Sequence, residues 1–219
     1  MSEDVKKTIG DTYDNIAAWY LAWVEGQASP RVRYTRRLLD QCPVSPNLLE
    51  LGCGAGVPVL RMLMDHGATV TGNDISTKQI ELAQSRFPQA ALIAGDMTAL
   101  ILEENSLDGI LAFFSLFHLP REEYRSFLSK LFAWLKPSGV FAFNLATVDQ
   151  DEIHGEFFGH GMFWSSFGET ENLTVLADAG FTILEEEVLE AGDGKLEEGD
   201  PDYGVKFMWI LAMKPERAG

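Results

Sequence analysis

Residues 48–60 read LLELGCGAGVPVL. An apolar run ends in the acidic Glu50, and Gly52, Gly54 and Gly56 then recur at every second position. An apolar run closed by a glycine cluster predicts a buried strand at Leu48 to Leu51, and Val57 to His66 predicts the helix that follows. Glycine tolerates positive φ and lets the main chain come close to a ligand that a Cβ would exclude. The start of the next helix presents free N–H groups and the positive end of its dipole to whatever is bound there. Strand, glycine turn and helix together read as the opening unit of a cofactor site, or, more plainly, as a tight turn that binds nothing.

The same rhythm continues outward. Ala68 to Gly72 is a second strand, and Ser76 with Gln79 forms a capping box that opens a helix to about Arg86. Ala90 to Ala94 and Leu107 to Phe114 are further strands, and Pro120 opens a helix ending near Leu135. The segment 136–139, KPSG, is a turn, and Val140 to Leu145 the fifth strand. Strands alternating with helices predict a parallel sheet covered on both faces. A helix from Thr170 to Ala179, closed by Gly180, leads into Phe181 to Leu189 and then Tyr203 to Met213. Two strands with no helix between them pair antiparallel. Upstream, Asp11 to Trp23 places Ile16, Trp19, Tyr20 and Trp23 at helical spacing, and a second helix runs from Pro30 to Leu39 with Arg31, Arg33, Arg36 and Arg37 around it.

The bulk properties set limits on function. The chain has 219 residues, enough for one domain with its own core. Its formal charge is −16, a field that repels nucleic acid. Much of the excess lies between Glu185 and Asp202, where the plain reading is a solvated hairpin connection. Cys42 and Cys53 are too few for a disulfide framework and lack the paired spacing of a zinc site, so they read as reduced thiols. The start MSEDVKKTIG has no apolar core of a signal peptide, and no run approaches the roughly 18 apolar residues of a membrane span. A soluble cytoplasmic protein, monomer or homodimer, is expected.

The loop alone serves two kinds of cofactor. The nicotinamide fingerprint, Gly-x-Gly-x-x-Gly, needs its third glycine where Val57 stands, and Glu50 sits poorly beside a pyrophosphate but well beside an ammonium group. Eighteen residues past Gly56, Asp74 closes the second strand, where a carboxylate accepts from both hydroxyls of a ribose or, more plainly, caps the helix at Ser76. Asp96, after the third strand, stands where an adenine amino group or a loop turn would use it.

Taken in order, Glu50-x-Gly52-x-Gly54-x-Gly56, the Asp74 segment, GlyAspMet at 95–97, LeuLysProSerGly at 135–139 and the terminal strand pair resemble the motifs of class I S-adenosylmethionine-dependent methyltransferases of the small-molecule type. The likeness runs from about Tyr13 to Lys214. It implies an α/β fold, a doubly wound seven-stranded sheet of order 3-2-1-4-5-7-6 with the last strand antiparallel. It also implies one methyltransferase domain over 1–219, with a helical cap at 1–46, a cofactor-binding core at 47–148, a lid at 149–169 and a closing helix and hairpin at 170–214. S-adenosyl-L-methionine would be the cofactor and S-adenosyl-L-homocysteine the product. Glu50 and the backbone at Gly52 would hold the methionine ammonium, and Cys53, Gly54 and Gly56 of the same loop would also bind the cofactor. Asp74 would take the ribose, Ile75 and Met97 would flank the adenine, and Asp96 would accept from its amino group. Phe113 and Phe114 would close the methionine side. Tyr13 and Tyr20 would lie over the cofactor carboxylate and the reaction site, with simple core packing as the alternative for Tyr20.

Methyl transfer needs positioning and desolvation more than a conspicuous base. His118 is the candidate catalytic residue, with a local turn contact as the plain alternative. The lid, with Phe157, Phe158, Met162, Phe163, Trp164 and Phe167, either lines a pocket for an apolar or aromatic acceptor or packs onto the sheet. No Asn-Pro-Pro-Tyr motif follows the fourth strand, and no acidic cluster of a magnesium site is present. The expected enzyme methylates O, N or S of a small molecule without a metal, a nucleic-acid partner or a membrane. The alternative is a cofactor-binding member that no longer methylates and acts in an assembly.

Overall fold

The computed structural model describes residues 2–27, 29–200 and 202–216; the side chains of Ser2, Asp193 and Gly194 lie outside that description, so the Asp193 share of the acidic connection does too. Strands β1 (Asn47–Leu51), β2 (Thr69–Asp74), β3 (Ala91–Ala94), β4 (Leu107–Ala112) and β5 (Leu135–Ala146) pair in parallel. A hairpin of β6 (Gln150–Phe157) and β7 (His160–Ser166) forms a separate two-stranded sheet. The main sheet is completed by β8 (Thr182–Glu190) and β9 (Lys206–Met213), in the order β3-β2-β1-β4-β5-β9-β8. With the inserted hairpin left out, this is the expected order 3-2-1-4-5-7-6, and β9 runs antiparallel to both of its neighbours.

Alternate residues of the central strands feed two cores, as a period of two requires. On one face Leu49, Ile110, Phe141, Phe143 and Ile210 pack with Phe127, Leu131 and Trp134 of α5 (Arg121–Trp134) and Val175 and Leu176 of α6 (Glu169–Asp178). On the other, Leu48, Leu111, Ala142, Trp209 and Leu211 pack with Tyr34 and Leu38 of α2 (Arg31–Leu39) and Leu60 and Leu63 of α3 (Val59–Asp65). The remaining helices are α1 (Ser2–Gly26) and α4 (Thr77–Arg86). Among the described residues no helix is long and apolar enough to cross a membrane.

Three local expectations change. The KPSG turn lies inside β5: the ladder steps from Leu107↔Leu135 to Gly109↔Val140, a bulge held where Ser138 N–H donates to Lys214 O (2.8 Å) and Lys214 N–H to Gly139 O (2.9 Å). The first helix starts at Ser2 rather than near Asp11, because Ile9 buries itself against Met162 and Phe163 of β7 and so gives the polar first turns something to pack on. The acidic stretch is more than a solvated connection. Glu185 pairs with Arg37, Glu187 pairs with Arg33, and Glu187 also accepts from Tyr34 Oη (2.9 Å), so β8 carboxylates tether α2 to the sheet edge.

Candidate functional site

The carboxyl ends of β1, β2 and β4 meet at a cleft of about 950 Å³. The loop after β1 is shaped for it. Gly52 has φ of 69°, and a Cβ there would lie 2.6 Å from Ser115 Cβ, so only glycine allows the loop to pass the end of β4. Cys53 N–H donates to Asn73 O (2.9 Å), and Gly54 N–H donates to Asp74 Oδ2 (2.8 Å), which bind the loop to the end of β2.

Two carboxylates floor the cleft. Glu50 is 5% exposed, and its Oε2 has no hydrogen-bond partner among the described residues. Burial pushes its carboxyl well above the usual range, against the pull of the Arg31 guanidinium. Asp74 gives each oxygen one backbone donor, Gly54 N–H and Ser76 N–H (2.9 Å), and keeps a lone pair on each for a ligand. Burial raises it to about 6 in spite of those donors. Both readings of Asp74 are therefore realised at once: it steadies the start of α4 and it lines the cleft. Ser76 caps α4 by accepting Gln79 N–H (3.0 Å), but the Gln79 amide does not reach back. Both of its polar atoms are buried without partners on the cleft wall. The Ser76 hydroxyl instead donates to Asp14 Oδ1 (2.6 Å), which docks α1 onto α4.

Helix α1 roofs the cleft with Lys6, Ile9, Tyr13, Tyr20, Leu21 and Val24. Lys6 Nζ donates to Asp96 Oδ2 (2.8 Å), Thr98 Oγ1 (3.0 Å) and Glu123 Oε2 (2.5 Å). Asp96 also accepts from Thr98 N–H at Oδ1 (2.8 Å), so one Oδ1 lone pair is left for a ligand. Burial raises its carboxyl, but Lys6 and Thr98 outweigh that and hold it below the usual range.

His118 ends a short 3-10 turn after β4 and uses both ring nitrogens. Phe163 O can only accept, so Nδ1 carries the proton and donates to it (2.9 Å), while Nε2 accepts from Tyr13 Oη (3.0 Å). Burial lowers the imidazole to about 4, and it is neutral at physiological pH. His118 is thus both a cleft residue and a local tie between turn, hairpin and roof.

Of the sequence candidates, Tyr13, Tyr20, Glu50, Gly52, Cys53, Gly54, Asp74, Ile75, Asp96, Met97, Phe113, Phe114 and His118 all border the cleft. Gly56 does not. Its φ of 83° and the 2.6 Å that would separate a Cβ from Phe87 show a close-packing role under the loop. The aromatic residues of the 149–169 insertion pack rather than line the cleft. Phe157 lies beside Tyr13 and Tyr20, Phe158 against Trp19, and Trp164 beside His118. Phe163 and Phe167 border a separate outer recess. Arg31, Lys6 and Asn73 are cleft residues that the sequence did not single out, and Gln79, read there only as a capping-box partner, borders the cleft too. Arg31 opens α2 with its guanidinium 4.3 Å above the Phe114 ring, and no spacing rule separates it from the other three arginines of that helix. Among the described residues no group of three or more His, Cys, Asp or Glu is placed to hold a metal ion.

Residues 48–139 match a family model described as a methyltransferase domain. An uncharacterized methyltransferase of Synechocystis sp. is 28% identical over 206 residues, 84% of this chain and 92% of that protein. A sterol 24-C-methyltransferase of Gibberella zeae is 26% identical over 75% of this chain, and the match spans only 44% of its own length. In fold, the chain resembles a Burkholderia thailandensis 1,6-didemethyltoxoflavin-N1-methyltransferase solved with that molecule and S-adenosylhomocysteine, at a TM-score of 0.74 and 18% identity, covering 99% of this chain and 91% of that one. It also resembles the [4+2]-cyclase SpnF, at 0.71 and 19%, covering 94% and 96%.

Proposed function

We propose, for a chain that is by domain and by fold a class I S-adenosylmethionine-dependent methyltransferase, that it moves a methyl group to O, N or S of a small apolar or aromatic molecule, the reaction type of EC 2.1.1, in a soluble cytoplasmic setting. The observation that carries the reading is Glu50: a buried carboxylate with an orphaned oxygen, under a glycine loop and beside Asp74, wants a cationic ligand. An α-amino group answers that need and a pyrophosphate does not.

Bound there, S-adenosylmethionine supplies a methyl group on a sulfonium that is already a good leaving group. The chain's residues supply the rest. Glu50 and the backbone at Gly52 hold the ammonium, and Arg31 faces the carboxylate of the same amino-acid end. Asp74 accepts from the ribose hydroxyls through its two remaining lone pairs. Ile75 and Met97 flank the adenine, and the spare Oδ1 lone pair of Asp96 accepts from its amino group. Tyr13, Tyr20 and the rest of the α1 roof exclude water. His118 reaches the reaction only through Tyr13, whose hydroxyl it orients by accepting its proton.

Calorimetry with S-adenosylhomocysteine and with NADH, followed by a methyl-release assay over small acceptors, tests the reading. NADH binding without S-adenosylhomocysteine binding would overturn it. A cofactor-binding, non-methylating protein is the second reading. The engagement of both His118 nitrogens leaves that histidine no free role as a base, which this reading accommodates, and binding without turnover across the panel would establish it.

A further inference from the structure

A second cavity, about 1150 Å³, opens beside the cofactor cleft, and Val24, Arg31, Val57 and Phe114 line both. Its walls are aromatic, with Trp23, Phe114, Phe207 and Trp209. Two N–H donors belonging to its lining residues are buried and have no acceptor among the described residues, Nε1 of Trp23 and Nε of Arg31. Buried polar groups in folded proteins find partners, so two orphaned donors on lining residues of one cavity, one on α1 and one on α2, point to a ligand that brings oxygen acceptors. The acids around the cavity limit the charge of that ligand. Glu25 is paired with Arg86 (3.0 Å), while Glu190 and Asp202, the latter in the field of Arg31, also border the space, so one anion there competes with Asp202 for Arg31 and a second is repelled. Arg61, stacked 5.2 Å from the Phe87 ring, is the other cation of the lining.

We propose that this second cavity seats the methyl acceptor, and that the acceptor is a flat aromatic monoanion whose carboxylate-type oxygens take the Trp23 and Arg31 N–H groups. The assignment rests on the methyltransferase reading above for its chemistry, and on the orphaned donors alone for its ligand class. The aromatic walls hold the ring system, and the shared lining at Arg31 and Phe114 places it next to the methionine end of the cofactor cleft. The acceptor site therefore lies between α1, α2 and β9, and not in the hairpin.

The probes are 2-naphthoate and its cationic counterpart 2-naphthylmethylamine, titrated by calorimetry into the full chain with and without saturating S-adenosylhomocysteine. The naphthoate is expected to bind at least about tenfold more tightly than the amine. Trp23→Phe, which keeps the ring and removes the donor, is expected to weaken naphthoate several-fold and leave S-adenosylhomocysteine affinity unchanged. Val32→Trp, which fills the cavity from α2, is expected to abolish naphthoate binding. Thermal melts establish that both variants fold. Equal affinity for the two probes, or naphthoate affinity untouched by both variants, overturns the proposal. Absence of S-adenosylhomocysteine binding to the parent protein would instead overturn the functional reading, and the naphthoate arm measured without it would still decide the cavity.

Discussion

Glu50→Gln should move stability and cofactor affinity in opposite directions. The carboxylate is 5% exposed, one of its oxygens has no partner, and burial raises its pKa well above the ordinary range. In the free protein at neutral pH it is either ionised without a counter-charge in bonding reach or protonated at a cost, and an isosteric amide removes that cost. Gln leaves an unpartnered polar atom at the same place but cannot ionise, so the gain is the difference between burying a lone carboxylate and burying an amide, about 1 kcal/mol, and each kcal/mol moves the Tm of a chain this size by roughly 2–4 °C. In the complex the loss is a charge-assisted hydrogen bond to an ammonium, about 1.5–3 kcal/mol, or roughly ten- to hundredfold in Kd. The sign of the pH dependence is also set. Between the ordinary carboxyl pKa and the raised one, the folded state binds more protons than the unfolded, so wild-type stability falls as pH rises through that window. The Gln variant lacks this component. Differential scanning calorimetry of the apo proteins and titration with S-adenosylhomocysteine read both effects. An unchanged Kd would refute the placement of the ammonium at Glu50, and a Tm lower than wild type would refute the cost assigned to its buried carboxyl.

Other outcomes follow from neighbouring groups. Asp74 titrates at about 6 when folded, so S-adenosylhomocysteine affinity should fall as pH drops through about 6 and that component should vanish in Asp74→Asn; Asp74→Ala should cost at least about tenfold at pH 7.5, near 1.4 kcal/mol. Gly56→Ala puts a Cβ 2.6 Å from Phe87 at a φ of 83° and should cost about 1–3 kcal/mol of stability in a denaturant melt, with the cofactor Kd affected less because Gly56 is off the cleft. Tyr13→Phe and His118→Gln both break the Tyr13–His118 hydrogen bond, and the second also loses the bond to Phe163 O, so the double variant should cost turnover less than the sum of the two; full additivity would show that they act separately.

The elements that could be read from sequence are those whose signal is local. The glycine spacing at 52–56, the Ser76 cap and the period-two strands identify themselves, and Asp74 and Glu50 stand at strand ends that the loop chemistry marks. The hairpin at 150–166 could not be read this way. Its strands mix exposed charge with aromatic residues, and the register shifts between Gln150 and Ile153, so no clean alternation survives. Arg31 is legible only in three dimensions, because its significance comes from facing Glu50 and Asp202, 19 and 171 residues away in the chain. The same holds for Trp23, whose ring matches a helical stripe while its orphaned Nε1 shows only once the aromatic walls have assembled. Lys6 sits in a polar stretch with no motif, and tertiary contact alone brings it to Asp96.

The 25-residue span of α1 is a single stiff rod laid across the cleft, and its grips are spread along it: Lys6 on Asp96 and Glu123, Thr12 on Gly161 O (2.7 Å), Tyr13 on His118, Asp14 on Ser76. A rod cannot release one grip far without straining the next. A molecule lying beneath it is expected to depart only when several of these contacts yield together, so its exchange would be paced by the unlatching of α1, a slow concerted event.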